Sequence, residues 1–97
     1  MLAFVLDIRI KPGFEEDAVR TLSEIELSSI GEAGCLQFTW FRDRRDPEHF
    51  LLVEQWRSQP DLDTHLKRII PIWERFTPAL AEEPRSTPLQ PVLAVTV

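Results

Sequence analysis

Between Leu2 and Ile10 the chain alternates, with Leu2, Phe4, Leu6, Ile8 and Ile10 on one face and Ala3, Val5, Asp7 and Arg9 on the other. That period of two predicts a strand, and Pro12-Gly13 ends it. From Phe14 the spacing changes to three and four, through Ala18, Leu22 and Ile25, while Glu15, Glu16 and Asp17 sit where a helix N-terminus favours negative charge. An amphipathic helix to about Ile30 follows, stopped by Gly31 and Gly34. Leu36, Phe38 and Trp40 alternate with Gln37 and Thr39 in a second strand, and Phe50 to Trp56 form a third, joined to it as a hairpin by a charged loop.

Ser58 with Asp61 three residues later reads as a capping box, and Pro60 is tolerated in a first helical turn because its missing N–H has no partner there. Leu62, Leu66, Ile69 and Ile70 give this second helix a buried stripe. Pro71 removes a helical hydrogen bond, so the expectation is two helical pieces bent at Ile70-Pro71, with Trp73, Phe76 and Leu80 resuming the spacing. Pro84, Pro88 and Pro91 mark a connector, and Val92 to Val97 a last strand, apolar on both faces. The order is βαββαβ, an α+β ferredoxin-like plait with helices on one face of an antiparallel sheet. A last strand apolar on both faces needs a second covering surface, and a second copy of the chain would supply it.

Ninety-seven residues make one domain, taken as 1–97, that buries only about 60–65% of its unfolded surface. A partner subunit would add burial. The net charge of -5 argues against nucleic acid or an anionic membrane as partner. Arg42, Arg44 and Arg45 are interleaved with Asp43 and Asp46 and read as a solvated loop. No apolar run is long enough to span a bilayer, and MLAFVLDIRI lacks a basic leader, so a cytoplasmic location is expected. Cys35, the lone cysteine, excludes an internal disulfide and reads as a small buried hydrophobe. The two histidines lie far apart without a ligand-spaced acidic partner, so no metal site is expected.

The chemistry-bearing positions cluster between Asp46 and Leu66. His65 lies three residues after Leu62 and four before Ile69, at the edge of the buried stripe. It reads either as a packed histidine bonding a backbone carbonyl or as a proton acceptor, since imidazole changes charge near neutral pH. Trp56 ends the third strand on the face of Phe50, Leu52 and Glu54, as a core residue or as a stacking wall for a planar ligand. Glu54 is first an ion-pair partner for an arginine and second a polar group in a pocket. Phe38, Trp40, Trp73 and Phe76 are further candidates for an aromatic lining whose default role is core. Asp7 and Arg9, on one strand face, are expected to pair at a subunit interface. His49, just before Phe50, is expected to be solvated.

The blocks D-P-x-x-F at Asp46 to Phe50, E-x-W at Glu54 to Trp56 and H-L at His65-Leu66 resemble the antibiotic biosynthesis monooxygenase family. IRIKPG at Ile8 to Gly13 and EAGCLQF at Glu32 to Phe38 extend the resemblance over most of the chain. It implies a dimeric α/β barrel in which two sheets pack face to face. It also implies a pocket lined by His65, and cofactor-free oxygenation of an electron-rich aromatic such as a quinol or an anthrone-like polyketide. Without metal or flavin, such a reaction needs a water-excluding apolar pocket, an aromatic wall and one base, and the resemblance casts Trp56 as wall and His65 as base. The chain departs from the pattern where many members carry a second histidine, reading Arg68-Ile69-Ile70-Pro71 there. It also lacks the first-strand asparagine and downstream axial histidine of haem-degrading relatives, and any tyrosine. The rival class is a non-catalytic dimer that binds a small hydrophobic molecule, or a stress-associated protein.

Overall fold

The computed structural model describes residues 1–93. Strand β1 (Leu2–Arg9) leads into helix α1 (Glu15–Ser29), the hairpin β2 (Cys35–Arg42) and β3 (His49–Trp56) follows, and helix α2 (Gln59–Phe76) returns the chain to β4 (Arg85–Leu89). The sheet runs β2-β3-β1-β4 with every pairing antiparallel. This is the ferredoxin-like plait that the order of elements predicts.

Ladder register decides what each face carries. Phe4 lies opposite Glu54, Leu6 opposite Leu52 and Ile8 opposite Phe50, so these side chains share the face beneath the helices with Phe38 and Trp40. Two apolar clusters form there. Ile8, Ile10, Ala18, Leu22, Phe50, Phe76 and Ala79 fill one, and Ile25, Phe38, Leu52, Trp56, Leu62 and Ile69 fill the other.

Helix α1 buries Ala18, Leu22, Ile25 and Ser29 at helical spacing, while Phe14, at its N-cap, stays partly exposed. The backbone N–H of Trp40 on edge strand β2 donates to the Glu26 carboxylate at 2.6 Å, which covers one edge donor. Ser58 accepts from the Asp61 N–H at 3.4 Å and donates to its carboxylate at 2.7 Å, so the expected cap starts α2. Gly34, at φ +77°, is needed for a second reason: a Cβ there would run into the Asp61 side chain.

Several elements differ from the sequence pattern. Pro71 does not split α2, which runs unbroken through it. The prolyl ring and Lys67, whose carbonyl loses its i+4 donor, are both exposed, so water reaches the freed group. Ile69 before the proline and Phe76 after it are buried and hold both halves on the sheet. A bulge between Cys35 and Gln37 takes Leu36 out of the alternation and leaves it 56% exposed.

The last strand among the described residues comes earlier than expected. Arg85–Leu89, expected to be a connector, pairs with β1 from Asp7 to Ala3. Pro88 fits because β4 is an edge strand, where a missing N–H breaks no inner ladder. Val92 and Leu93 lie in an exposed bend, and the remainder of the expected strand, 94–97, falls outside the described residues. No helix among the described residues is long and apolar enough to cross a membrane.

Candidate functional site

Helix α2 lies over the sheet with His65, not Leu66 or Ile70, in its buried stripe. His65 is 3% exposed, whereas Leu66 and Ile70 are 41% and 47% exposed. The imidazole packs on the Trp56 indole, ring centroids 4.6 Å apart, and against Phe38 at 5.2 Å. Its Nδ1 lies 2.6 Å from the carboxylate of Glu32, in the loop between α1 and β2. The other oxygen of Glu32 accepts from Arg68 Nε, one turn further along α2. Arg68 also donates to Ser28 and Ser29 at 3.1 and 3.2 Å, so its charge sits at the C-terminal end of α1, where that helix has no basic residue of its own. Burial pushes the Glu32 carboxyl up, but the hydrogen bonds from Arg68 and His65 outweigh it and hold its pKa below the ordinary carboxylate value.

With Glu32 ionised and acceptor-only, Nδ1 is the nitrogen that carries hydrogen, so in the neutral tautomer Nε2 is the one with a lone pair. The one hydrogen bond of the ring among the described residues is that of Nδ1. The imidazole borders a cavity of about 150 Å³ between α2 and the sheet, walled by Leu6, Ile25, Leu52, Leu66, Ile69 and Ile70 together with aromatic and polar groups. Those groups are Phe38, Trp40, Trp73, Glu54 and His65. Trp40 and Trp73 stack nearly parallel, 12° between planes, at 6.5 Å. The Trp40 indole N–H is buried with no partner among the described residues.

Of the residues singled out from the sequence, His65, Glu54, Phe38, Trp40 and Trp73 meet around this cavity. Trp56 and Phe76 do not. Trp56 is 0% exposed and stands behind His65, and Phe76 belongs to the other core cluster. Glu54 pairs with no arginine. Its carboxylate accepts from Trp56 Nε1 at 2.7 Å, two residues along the same strand face. Burial pushes its pKa above the ordinary carboxylate value, opposed by the Trp56 hydrogen bond and by the nearby imidazole.

An acid whose pKa is raised on folding binds its proton more tightly when folded. Its contribution is present below the ordinary carboxylate range and is lost as pH rises through the folded value. Glu54→Gln is therefore expected to melt higher than the wild type at about pH 7.5, with the gap closing near pH 4. Thermal melts at the two pH values check it; an equal gap at both would contradict it.

Two further expectations change. Within one chain Asp7 and Arg9 have other partners than each other: Arg9 binds Asp46 at 2.7 Å, and Asp7 lies 3.0 Å from His49 Nε2. His49 is not in the loop and not solvated. It opens β3 with its side chain 14% exposed, held between Asp7 and Asp43, whose hydrogen bonds raise its pKa. No cluster of three ligand-type side chains suited to a metal ion occurs among the described residues. Sequence reasoning missed Glu32 and Arg68. The signal was there in part, as Glu32 opens the block that carries the family resemblance, but its pairing with a residue 33 positions away depends on the tertiary fold.

The comparisons agree with the fold and its order. The family model for antibiotic biosynthesis monooxygenase matches residues 1–78. The crystal structure of PA3566 from Pseudomonas aeruginosa is similar with 30% identity and a TM-score of 0.85, covering 94% of this chain and 93% of that one. A crystal structure of antibiotic biosynthesis monooxygenase at 22% identity has a TM-score of 0.87 over 95% of this chain and 99% of its own. Rv0793 from Mycobacterium tuberculosis, at 18% identity, gives 0.85 over 98% of both chains. Among curated sequences, uncharacterized protein sll1783 of Synechocystis is 28% identical over 61 residues, and the match spans 63% of this chain and 42% of that protein's length. With a family model matching well over half its length, the chain belongs to the antibiotic biosynthesis monooxygenase family.

Proposed function

We propose that the protein is a monooxygenase of a small electron-rich aromatic of the quinol or anthrone type, with His65 as the base. The observation that carries the reading is the Arg68–Glu32–His65 chain, which ends in a histidine lining an apolar, aromatic-walled cavity. A base oriented by an ionised carboxylate is how proton transfer is prepared when substrate and solvent are kept apart. Nε2 takes the proton of a quinol hydroxyl. The resulting phenolate is electron-rich enough to reduce dioxygen directly. One oxygen atom enters a ring C–H as C–OH, the other leaves as water, and the ring ends at the quinone level, so the substrate supplies every electron. Glu32 stabilises the transient imidazolium, and the apolar walls exclude water. Trp40 offers an indole N–H that no described residue accepts.

The test is oxygen uptake with a quinol panel in the absence of added cofactor. Uptake matched one to one by hydroxyquinone supports the reading. Binding of the same quinols with no uptake above the buffer rate would turn it towards a ligand-binding protein.

The functional unit we propose is a homodimer joined through the sheet face that the helices leave open. Val5, Leu51 and Val53 lie on that face with Phe41 and Leu89, the last two 52% and 44% exposed. An apolar sheet face on a chain this small gains burial from a second copy. Light scattering at micromolar concentration is expected to give twice the chain mass, and Phe41→Glu to shift it toward the monomer. A monomeric wild type would overturn this part.

A further inference from the structure

The cavity beside His65 does not close on itself. A second depression, lined by Phe4, Leu6, Glu54, Leu62, Leu66 and Ser86, shares Leu6, Glu54 and Leu66 with it. The second depression adjoins the cavity across these three side chains, between α2 and the β1–β4 edge. It stays open because β4 extends the sheet past the helical layer: Ser86 and Pro88, opposite Leu6 and Phe4 on the helix side, are both exposed. The outer depression is lined by apolar side chains, Ser86 and one ionisable group, Glu54, and no lysine or arginine lines either part.

Size separates the inner part from the outer. About 150 Å³ is the volume of a cavity that takes one benzene. A fused tricycle does not fit such a space, whereas a single ring does, and anything attached to that ring must leave along the groove. We infer that the substrate is a monocyclic ring bearing an uncharged apolar chain, with the ring beside His65 and the chain over Phe4, Leu6, Leu62 and Leu66. This rests on the reading of the cavity as the substrate site and narrows it, choosing the alkylated quinol over the anthrone. The chain gains from burial at roughly fourfold in affinity per methylene fully removed from water. A carboxylate at its end would meet Glu54 with no cation to offset the repulsion.

Anaerobic titrations followed by tryptophan fluorescence test it with hydroquinone, butylhydroquinone, a carboxypropyl hydroquinone and anthrone. Butylhydroquinone is expected to bind at least tenfold tighter than hydroquinone, and the acid-ended analogue and anthrone no tighter than hydroquinone. Ser86→Trp, which fills the groove from the exposed edge strand, should erase the gain from the butyl chain. The inference is overturned if the chain adds less than threefold in the wild type, the outcome expected if a second copy or residues 94–97 occupied the groove. It is equally overturned if anthrone binds as tightly as butylhydroquinone. Because binding is read without oxygen, a chain preference without turnover would sink the oxygenase reading and spare the groove, and turnover without a chain preference would do the reverse.

Discussion

His65→Ala is expected to lower quinol-dependent oxygen uptake by roughly 10²-fold or more, the usual contribution of a positioned base. The variant removes the one imidazole on the cavity wall while leaving its aromatic faces in place, so KM should change far less than kcat. Glu32→Gln tests the same chain one step back. The amide oxygen still accepts from Nδ1, so the ring keeps its orientation, but the negative charge that stabilises the imidazolium is gone. A loss of about tenfold in kcat is expected, smaller than for the alanine variant. Circular dichroism and light scattering must show both variants folded and in the wild-type assembly state. Full activity in His65→Ala would leave His65 as a packed histidine, the other reading its position in the sequence allows.

The largest expected effect on stability belongs to Trp56→Ala. This indole is completely buried, touches both Phe38 and His65, and supplies the N–H that the half-buried Glu54 carboxylate accepts. Truncating such a residue costs about 3–5 kcal/mol. The abandoned carboxylate adds to that cost, and a small domain has only about 5–15 kcal/mol in total. Urea denaturation is expected to show a midpoint shifted strongly down, or no cooperative transition. Trp56→Phe keeps most of the packing and loses only the donor, so its smaller deficit should grow as pH rises and Glu54 ionises. A change below about 1 kcal/mol in Trp56→Ala would show that the indole is not the keystone of this cluster.

Local rules made most of the architecture legible. The alternation of Leu2 to Ile10, the step to helical spacing at Phe14 and the Ser58 cap each depend on neighbours within one element, and each is found in the structure. The failures share a cause. Arg85–Leu89 looks like a connector because Pro88 lowers its strand propensity, and only its place at the sheet edge makes that harmless. Pro71 looks like a break because the packing of Ile69 and Phe76 on either side is not visible along the chain.

The candidate site follows the same division. His65 and the aromatic lining were recognisable because residue type and resemblance point to them. The partners were not: Glu54 bonds Trp56 instead of an arginine, Asp7 lies against His49 instead of Arg9, and Glu32 reaches His65 from another loop. Charged side chains choose partners by distance in space, and a linear pattern offers several equally good matches.

The state of the His65 ring is the most direct test of this account. Long-range proton–nitrogen NMR of the histidine ring, recorded without oxygen and with and without butylhydroquinone, reads which nitrogen carries the proton and whether the other meets the ligand. Hydrogen on Nδ1 is expected, with a bare Nε2 whose resonance moves when the quinol binds while Nδ1 stays bonded to Glu32. Hydrogen on Nε2 in the neutral ring, or an Nε2 resonance indifferent to a bound quinol, would contradict it.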